Sequence, residues 1–372
     1  MIGGKDIIGP RHSASKFFSA AKNPFFCCVI SHTATSEIPG LTVAGANPEL
    51  VKYTSPADAE FLHYGYCRCI PGVPATPDGK PTPAVITKAA LELAGIPFLV
   101  VDAGTKVRPD IPCVSFGVKP GGNITQENAM DVSDAKRALE YGHALGRQLA
   151  RSSDLVVIGE SIPGGTTTAL AVLSALGIDA LFKVSSSMPE NPHGLKNKTV
   201  KSALERARIS AAEKAPAALE AMSLVGDPMM PSVAGISAGA LEAGAKVMLA
   251  GGTQMSAVLA VMKGLSIPLT DDVCIGTTIY VAKDSSADLA GLVKQVSPKV
   301  PVLACDLRLE KSSKPGLQAF ARGFVKEGVG AGGSSIAAML KTKANGKKML
   351  AAIERVYERS IERKMASTTT AT

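Results

Sequence analysis

The sequence predicts an α/β fold: a doubly wound, mostly parallel sheet with helices on both faces, and a smaller flanking part built from the chain ends. Three observations carry that prediction. From about residue 133 onward, apolar runs of strand length alternate regularly with helical patterns, the rhythm of parallel strands joined by helical crossovers. Several of those runs end in glycine or an acid, as Leu155–Ile158 does at Gly159, Lys246–Ala250 at Gly251 and Val302–Asp306 on its own last residue. Ligands of such sheets sit at the carboxyl ends of the strands. Finally, 372 residues with 46% hydrophobic and 19% charged content make a globular chain with ample core. The expected division is an α/β catalytic domain over 85–335, a flanking part from 1–84 with 336–365, and a disordered tail over 366–372.

The elements follow in chain order. Phe25–Ile30 is an expected strand, and Pro56–Tyr64 a helix behind an N-capping Ser55. Cys69–Pro83 holds five prolines and two glycines and is expected to be an extended loop. A helix from Pro83 to Ala94, a strand over Ile96–Asp102 and a short strand over Cys113–Phe116 come next. Ser133–Ala150 is amphipathic, with Ala138, Leu139, Leu145 and Leu149 near one face. After the Leu155 strand and a helix opening at Thr166, a basic helix is expected over Lys198–Lys214, with another helical stretch beginning at Asp227-Pro228. Lys246–Ala250 is a strand and Gln254–Met262 a helix. Thr277–Val281, Ala287–Val296 and Val302–Asp306 repeat strand, helix and strand. A second glycine cluster, Gly328–Gly333, opens a helix over Ser334–Leu340, and a charged helix runs from Gly346 to Arg363.

Composition narrows the function. Aromatics make up 4% of the chain and tryptophan is absent, which opposes nucleic-acid binding by base stacking. The net charge of +8 suits an anionic small molecule, although scattered solvated lysines account for most of it. The seven cysteines lack metal-ligand spacing, Cys67 and Cys69 forming only an isolated C-x-C, so reduced thiols in a cytoplasmic protein are expected. Met1–Pro10 has no continuous apolar run, so no signal peptide is expected. The apolar region Val247–Met262 is broken by two glycines and too short to span a bilayer.

The chemistry-bearing stretch is Leu155–Ala171. A buried strand, a Pro-Gly-Gly turn and a helix start at Thr166 together make an anion site, because backbone N–H groups and the helix dipole face the loop. Gly159–Thr166 falls short of a nucleoside-triphosphate loop, since Gly165 stands where lysine must reach the β and γ phosphates. A monophosphate needs only N–H groups and hydroxyls, which Gly164, Gly165, Thr166 and Thr167 can supply. The competing reading is an ordinary strand–helix turn. Gly328, Gly330 and Gly333 match G-x-G-x-x-G, but no clear strand precedes them, which opposes a dinucleotide site. Glu160 and Glu327 become catalytic candidates if they meet in one cleft.

Several of these residues also resemble one family. Gly159-Glu-Ser-Ile-Pro-Gly-Gly-Thr-Thr-Thr-Ala169 is similar to the G-E-M-G-I-G-N-T-T-x-A signature of the nicotinate-nucleotide–dimethylbenzimidazole phosphoribosyltransferases. Gly122-Asn-Ile124 with Ala129-Met130, Gly194-Leu-Lys-Asn-Lys198 and Lys326-Glu-Gly-Val-Gly-Ala331 resemble three further family segments in order. Val225–Pro231 and Ala250–Met255 look like its divergent archaeal and cyanobacterial-type branch. The resemblance implies a homodimer that moves the 5-phosphoribosyl group of nicotinate mononucleotide to a benzimidazole-type base, giving an α-ribazole 5′-phosphate for cobamide assembly. It implies no metal and no cofactor. Glu327 would be the base, Glu160 the second acid, Gly164, Gly165 and Thr166 the phosphate cradle, and Lys198 an anion contact. A nucleotide glycosidase or a non-catalytic nucleotide binder on the same fold are the alternatives. One departure stands out: the family's Gly-Ile-Gly-Asn becomes Ile162-Pro-Gly-Gly165, which loses an amide side chain. The first hundred residues match poorly, so dimethylbenzimidazole, another benzimidazole and adenine all remain possible acceptors.

Overall fold

The computed structural model of the chain describes residues 7–8, 22–45, 48–76, 79–210 and 215–362. One sheet organises them. Its strands are β1 (Ile7–Ile8), β2 (Pro24–Ile30), β3 (Phe98–Asp102), β4 (Val114–Ser115), β5 (Leu155–Ser161), β6 (Lys246–Ala250), β7 (Val273–Thr278) and β8 (Val302–Cys305). Their order is β1-β8-β7-β6-β5-β2-β3-β4. All neighbours pair in parallel except the edge strand β1, which runs antiparallel to β8.

Alternate side chains of each strand feed two cores. Cys27, Val29, Val156, Ile158, Val247 and Leu249 point to one face. There the helices Val132–Leu149, Gly165–Ala175, Met229–Glu242 and Thr253–Gly264 cover them. Phe26, Cys28, Ile30, Val157 and Met248 point to the other face, under the helices Thr54–Tyr64, Ala84–Ala94, Ala331–Thr342 and Gly346–Tyr357. Burial on both faces is why β5 reads as an unbroken apolar run, all seven of its residues being buried. The doubly wound α/β expectation therefore holds.

The expected boundary at residue 85 does not separate two parts of this sheet. β2, from the supposed flanking segment, lies between β5 and β3 in the sheet interior. Likewise the helices Ala331–Thr342 and Gly346–Tyr357 share one core with β2 and the helix Ala84–Ala94. The 366–372 tail lies outside the described residues.

Local boundaries moved where neighbours overrode the sequence pattern. Thr277–Val281 is not a strand of its own: β7 closes at Thr278, and Ile279–Ala282 turns into a short helix. The basic helix spans His193–Arg206 rather than starting at Lys198. The helices Val132–Leu149 and Met229–Glu242 meet backbone to backbone. A Cβ on Gly146 would overlap the Ile236 carbonyl oxygen and stand 2.8 Å from Ala240 N. Among the described residues no helix is long and apolar enough to cross a membrane.

Candidate active site

The strand order reverses between β2 and β5. From β2 the chain goes outward to β3 and β4; from β5 it goes the other way to β6, β7 and β8. Crossovers that depart in opposite directions leave a crevice at the carboxyl ends of those two strands. A cleft opens there, and Glu160, Gly164, Gly165, Thr166 and Glu327 all line it.

Glycine geometry puts these residues together. Gly164 caps the helix Gly165–Ala175 at φ 72°, and a Cβ on it would stand 2.8 Å from Ser36 Cβ. Left-handed backbone and lack of room both require glycine at that turn. Gly330, also left-handed, rests on Gly159 so closely that a Cβ on either would reach within 2.9 Å of the other's Cα. Val329 N–H donates to the Glu160 carbonyl at 2.8 Å. These contacts bring the second glycine cluster against β5, and Glu327 with it.

The two acids differ in their surroundings. Glu160 is 3% exposed, and its Oε2 accepts from Ile162 N–H at 3.1 Å. Burial first, then the nearby Asp227 and Glu327 carboxylates, push its carboxyl well above the usual range. Glu327 keeps an open edge on the cleft. Its Oε1 accepts from Gly332 N–H at 3.0 Å and Gly328 N–H at 3.3 Å. Its Oε2 accepts from Thr278 N–H at 2.8 Å and the Thr277 hydroxyl at 3.2 Å. Burial outweighs these four donors and raises its carboxyl to about 7. A carboxylate fixed in orientation, open to the cleft and titrating near neutrality suits general-base chemistry.

Two further acids support the site. Asp58, on the helix Thr54–Tyr64, accepts from the Thr82 hydroxyl at 2.6 Å and the Ser161 hydroxyl at 2.7 Å. Asp227, just before the helix Met229–Glu242, accepts from Met229 N–H at 3.1 Å, and its other oxygen accepts from the Thr168 hydroxyl at 2.6 Å. Burial lifts both carboxyls to about 6. The only hint of Asp58 in the sequence is an acid inside a largely apolar helical pattern, and nothing there points to Ser161 or Thr82.

Two of the expected binding residues do not reach the cleft. Thr167 is wholly buried and is not among the lining residues, because one step along a helix turns the side chain by about 100° into the core. Lys198 is exposed on the outer side of its helix. Lys196, two residues earlier and so on the opposite side, is the buried cation. Its Nζ donates to the Ser185 carbonyl at 2.6 Å and Asn191 Oδ1 at 3.1 Å, just behind the cleft-lining Ser185. Burial and the neighbouring Lys326 bring its ammonium down to about 7. Lys326 in turn pairs with Asp284 at 2.7 Å.

A phosphoribosyltransferase family model matches residues 84–311. The chain is 49% identical over 336 residues to the UPF0284 protein of Archaeoglobus fulgidus, covering 90% of this chain and 94% of that one. With the UPF0284 protein of Methanothermobacter thermautotrophicus it shares 45% identity over 323 residues, 86% of this chain and 88% of that one. A crystal structure of nicotinate-nucleotide-dimethylbenzimidazole phosphoribosyltransferase from Thermus thermophilus superposes with a TM-score of 0.61 at 19% identity. That match covers 93% of this chain and 92% of the other, and at this identity it speaks to the fold.

Proposed function

This chain belongs to the phosphoribosyltransferase family, in its divergent UPF0284 branch, and from that premise we propose that it transfers the 5-phosphoribosyl group of nicotinate mononucleotide to a benzimidazole-type base. The observation that carries the reading is the joint placement of Glu160, Glu327 and the Gly164–Thr166 turn on one cleft at the switch point of the sheet. A phosphate cradle and two carboxylates are what the transfer requires.

The chemistry follows from charge. The C1′–N bond of the donor breaks with its electron pair passing to the pyridinium nitrogen, so nicotinate leaves without needing a proton. The cationic donor beside Glu160 would offset its burial and draw it to the ionised form, which would then stabilise the positive charge growing on the ribose. One azole nitrogen attacks C1′ while the other gives its proton to Glu327. The helix start at Gly164, Gly165 and Thr166 would hold the 5′-phosphate through backbone N–H groups and the Thr166 hydroxyl. Lys196 sits behind the Ser185 wall, where an incoming phosphate would draw it to its charged form.

The test is incubation of the protein with nicotinate mononucleotide, with and without dimethylbenzimidazole, followed by product analysis. Nicotinate release that depends on the azole, with an α-ribazole phosphate formed, is the expected outcome. Release without azole would make the protein a glycosidase, and tight binding without release a nucleotide binder.

A further inference from the structure

The loop departs from the family signature at residue 165, where glycine replaces an asparagine and an amide side chain is lost. The structure shows what fills that space. A Cβ on Gly165 would overlap Gln254 Oε1 and stand 2.7 Å from Gln254 Cδ. Gly165 is the first residue of its helix and has no left-handed backbone, so torsion does not require glycine there. The room does: the Gln254 carboxamide takes most of it, and Ile162 Cγ2 would stand 2.8 Å from the same Cβ.

Gln254 reaches this position from a different element. It is the second residue of the helix Thr253–Gly264, which follows β6 and lies beside the helix Gly165–Ala175. The turn before it passes between the two acids: a Cβ on Gly251 would stand 3.9 Å from Glu160 Oε1, and one on Gly252 would stand 3.9 Å from Glu327 Cβ. Gln254 therefore lines the cleft against the phosphate turn and directly follows a turn that touches both acids. Its Oε1 is buried and accepts no hydrogen bond from any described residue. A buried carbonyl oxygen without a donor is costly, and such an atom beside a ligand cleft points to a partner carried by the ligand.

We propose that Gln254 is a donor-binding residue whose carboxamide replaces, from the neighbouring helix, the amide missing at position 165. The amide carries both polarities: its oxygen accepts from a ribose hydroxyl, and its NH2 donates to a phosphate or ring oxygen. Gln254 thus grips the sugar phosphate, whichever base it carries. This assignment rests on the donor being a phosphoribosyl compound, as proposed above.

The test uses ribose 5-phosphate as probe, titrated calorimetrically into four full-length proteins: the natural chain, Gln254→Ala, Gly165→Asn, and the double variant Gly165→Asn/Gln254→Ala. Gln254→Ala should weaken binding about 10- to 100-fold, the loss of one or two hydrogen bonds to a polar or charged group. Gly165→Asn alone should also bind weakly, because its side chain meets Gln254 first and Ile162 behind it. The double variant should recover most of the affinity and, with nicotinate mononucleotide, most of the loss in KM while kcat changes little. A merely structural role for Gln254 would not be rescued from position 165. Thermal unfolding of each variant identifies any that fails to fold; if Gly165→Asn does, Gln254→Ala and the double variant still decide. Unchanged affinity in Gln254→Ala, or a double variant no better than Gln254→Ala, overturns the assignment. Transfer by the natural protein together with unchanged sugar-phosphate binding in Gln254→Ala rejects this inference alone. The binding pattern without any transfer rejects only the proposed reaction.

Discussion

Replacing Glu327 by glutamine keeps the side-chain shape, removes its capacity to take a proton, and alters stability with a sign that depends on pH. The carboxyl stands at about 7 in the folded protein against an ordinary 4.5. The folded chain therefore holds this proton over a range in which the unfolded chain has released it, and stability falls as pH rises from about 4.5 through 7. The full shift corresponds to about 3 kcal/mol, lost above neutrality and fully present below pH 4.5. Glutamine escapes that loss. It also turns an NH2 toward donors that both carboxylate oxygens now accept, which costs about 1–3 kcal/mol at every pH. The variant should therefore be less stable than the natural protein at pH 5 and gain on it by about 3 kcal/mol between pH 5 and 8.5. Denaturant unfolding at both pH values measures this. Activity tests the same carboxylate: the natural enzyme should lose kcat/KM tenfold per pH unit below about 7, and Glu327→Gln should be slower by about 10²–10⁴-fold. If the variant keeps full transferase activity, Glu327 is not the base; if its stability tracks the natural protein at both pH values, the carboxyl is not held in the protonated state described.

Other perturbations separate the remaining roles. Glu160→Gln can still accept from Ile162 N–H but carries no charge, and should lower kcat at saturating donor by about 10²–10³-fold; a kcat within a few-fold of natural would remove it from the reaction. Lys196→Met leaves the Ser185 carbonyl and Asn191 Oδ1 without their donor and should destabilise the fold by about 1–3 kcal/mol. The exposed Lys198→Met should change stability by less than about 0.5 kcal/mol; urea midpoints compare the two directly. Gly146→Val forces a side chain into the Ile236 carbonyl at the junction of two helices and should destabilise by more than about 3 kcal/mol, read as a lower Tm.

The parallel sheet is legible in the residues because strands buried on both faces must be apolar throughout, as Leu155–Ile158 and Val247–Ala250 are. The Gly164 turn is legible too, since its left-handed backbone and its contact with Ser36 both favour glycine there. Both acids stand beside glycine-rich loops and can be nominated from that local context alone. β2 is less legible: Phe25–Ile30 reads as a strand, but its seat between β5 and β3 depends on which edges are free when the chain closes.

What the sequence determined by itself was thus local: strand runs, helix starts, glycine turns and the two candidate acids, each set by nearby residues and backbone torsion. Only the tertiary structure decided that Glu160 and Glu327 share a cleft, because backbone packing of Gly159 on Gly330 joins segments far apart in the chain. It also decided that Lys196 and not Lys198 is the buried cation, since helix phase relative to the core sets which side chain turns inward. The space at Gly165 is the clearest case. The chain shows a missing amide there, while only the packing of a second helix shows Gln254 standing in its place.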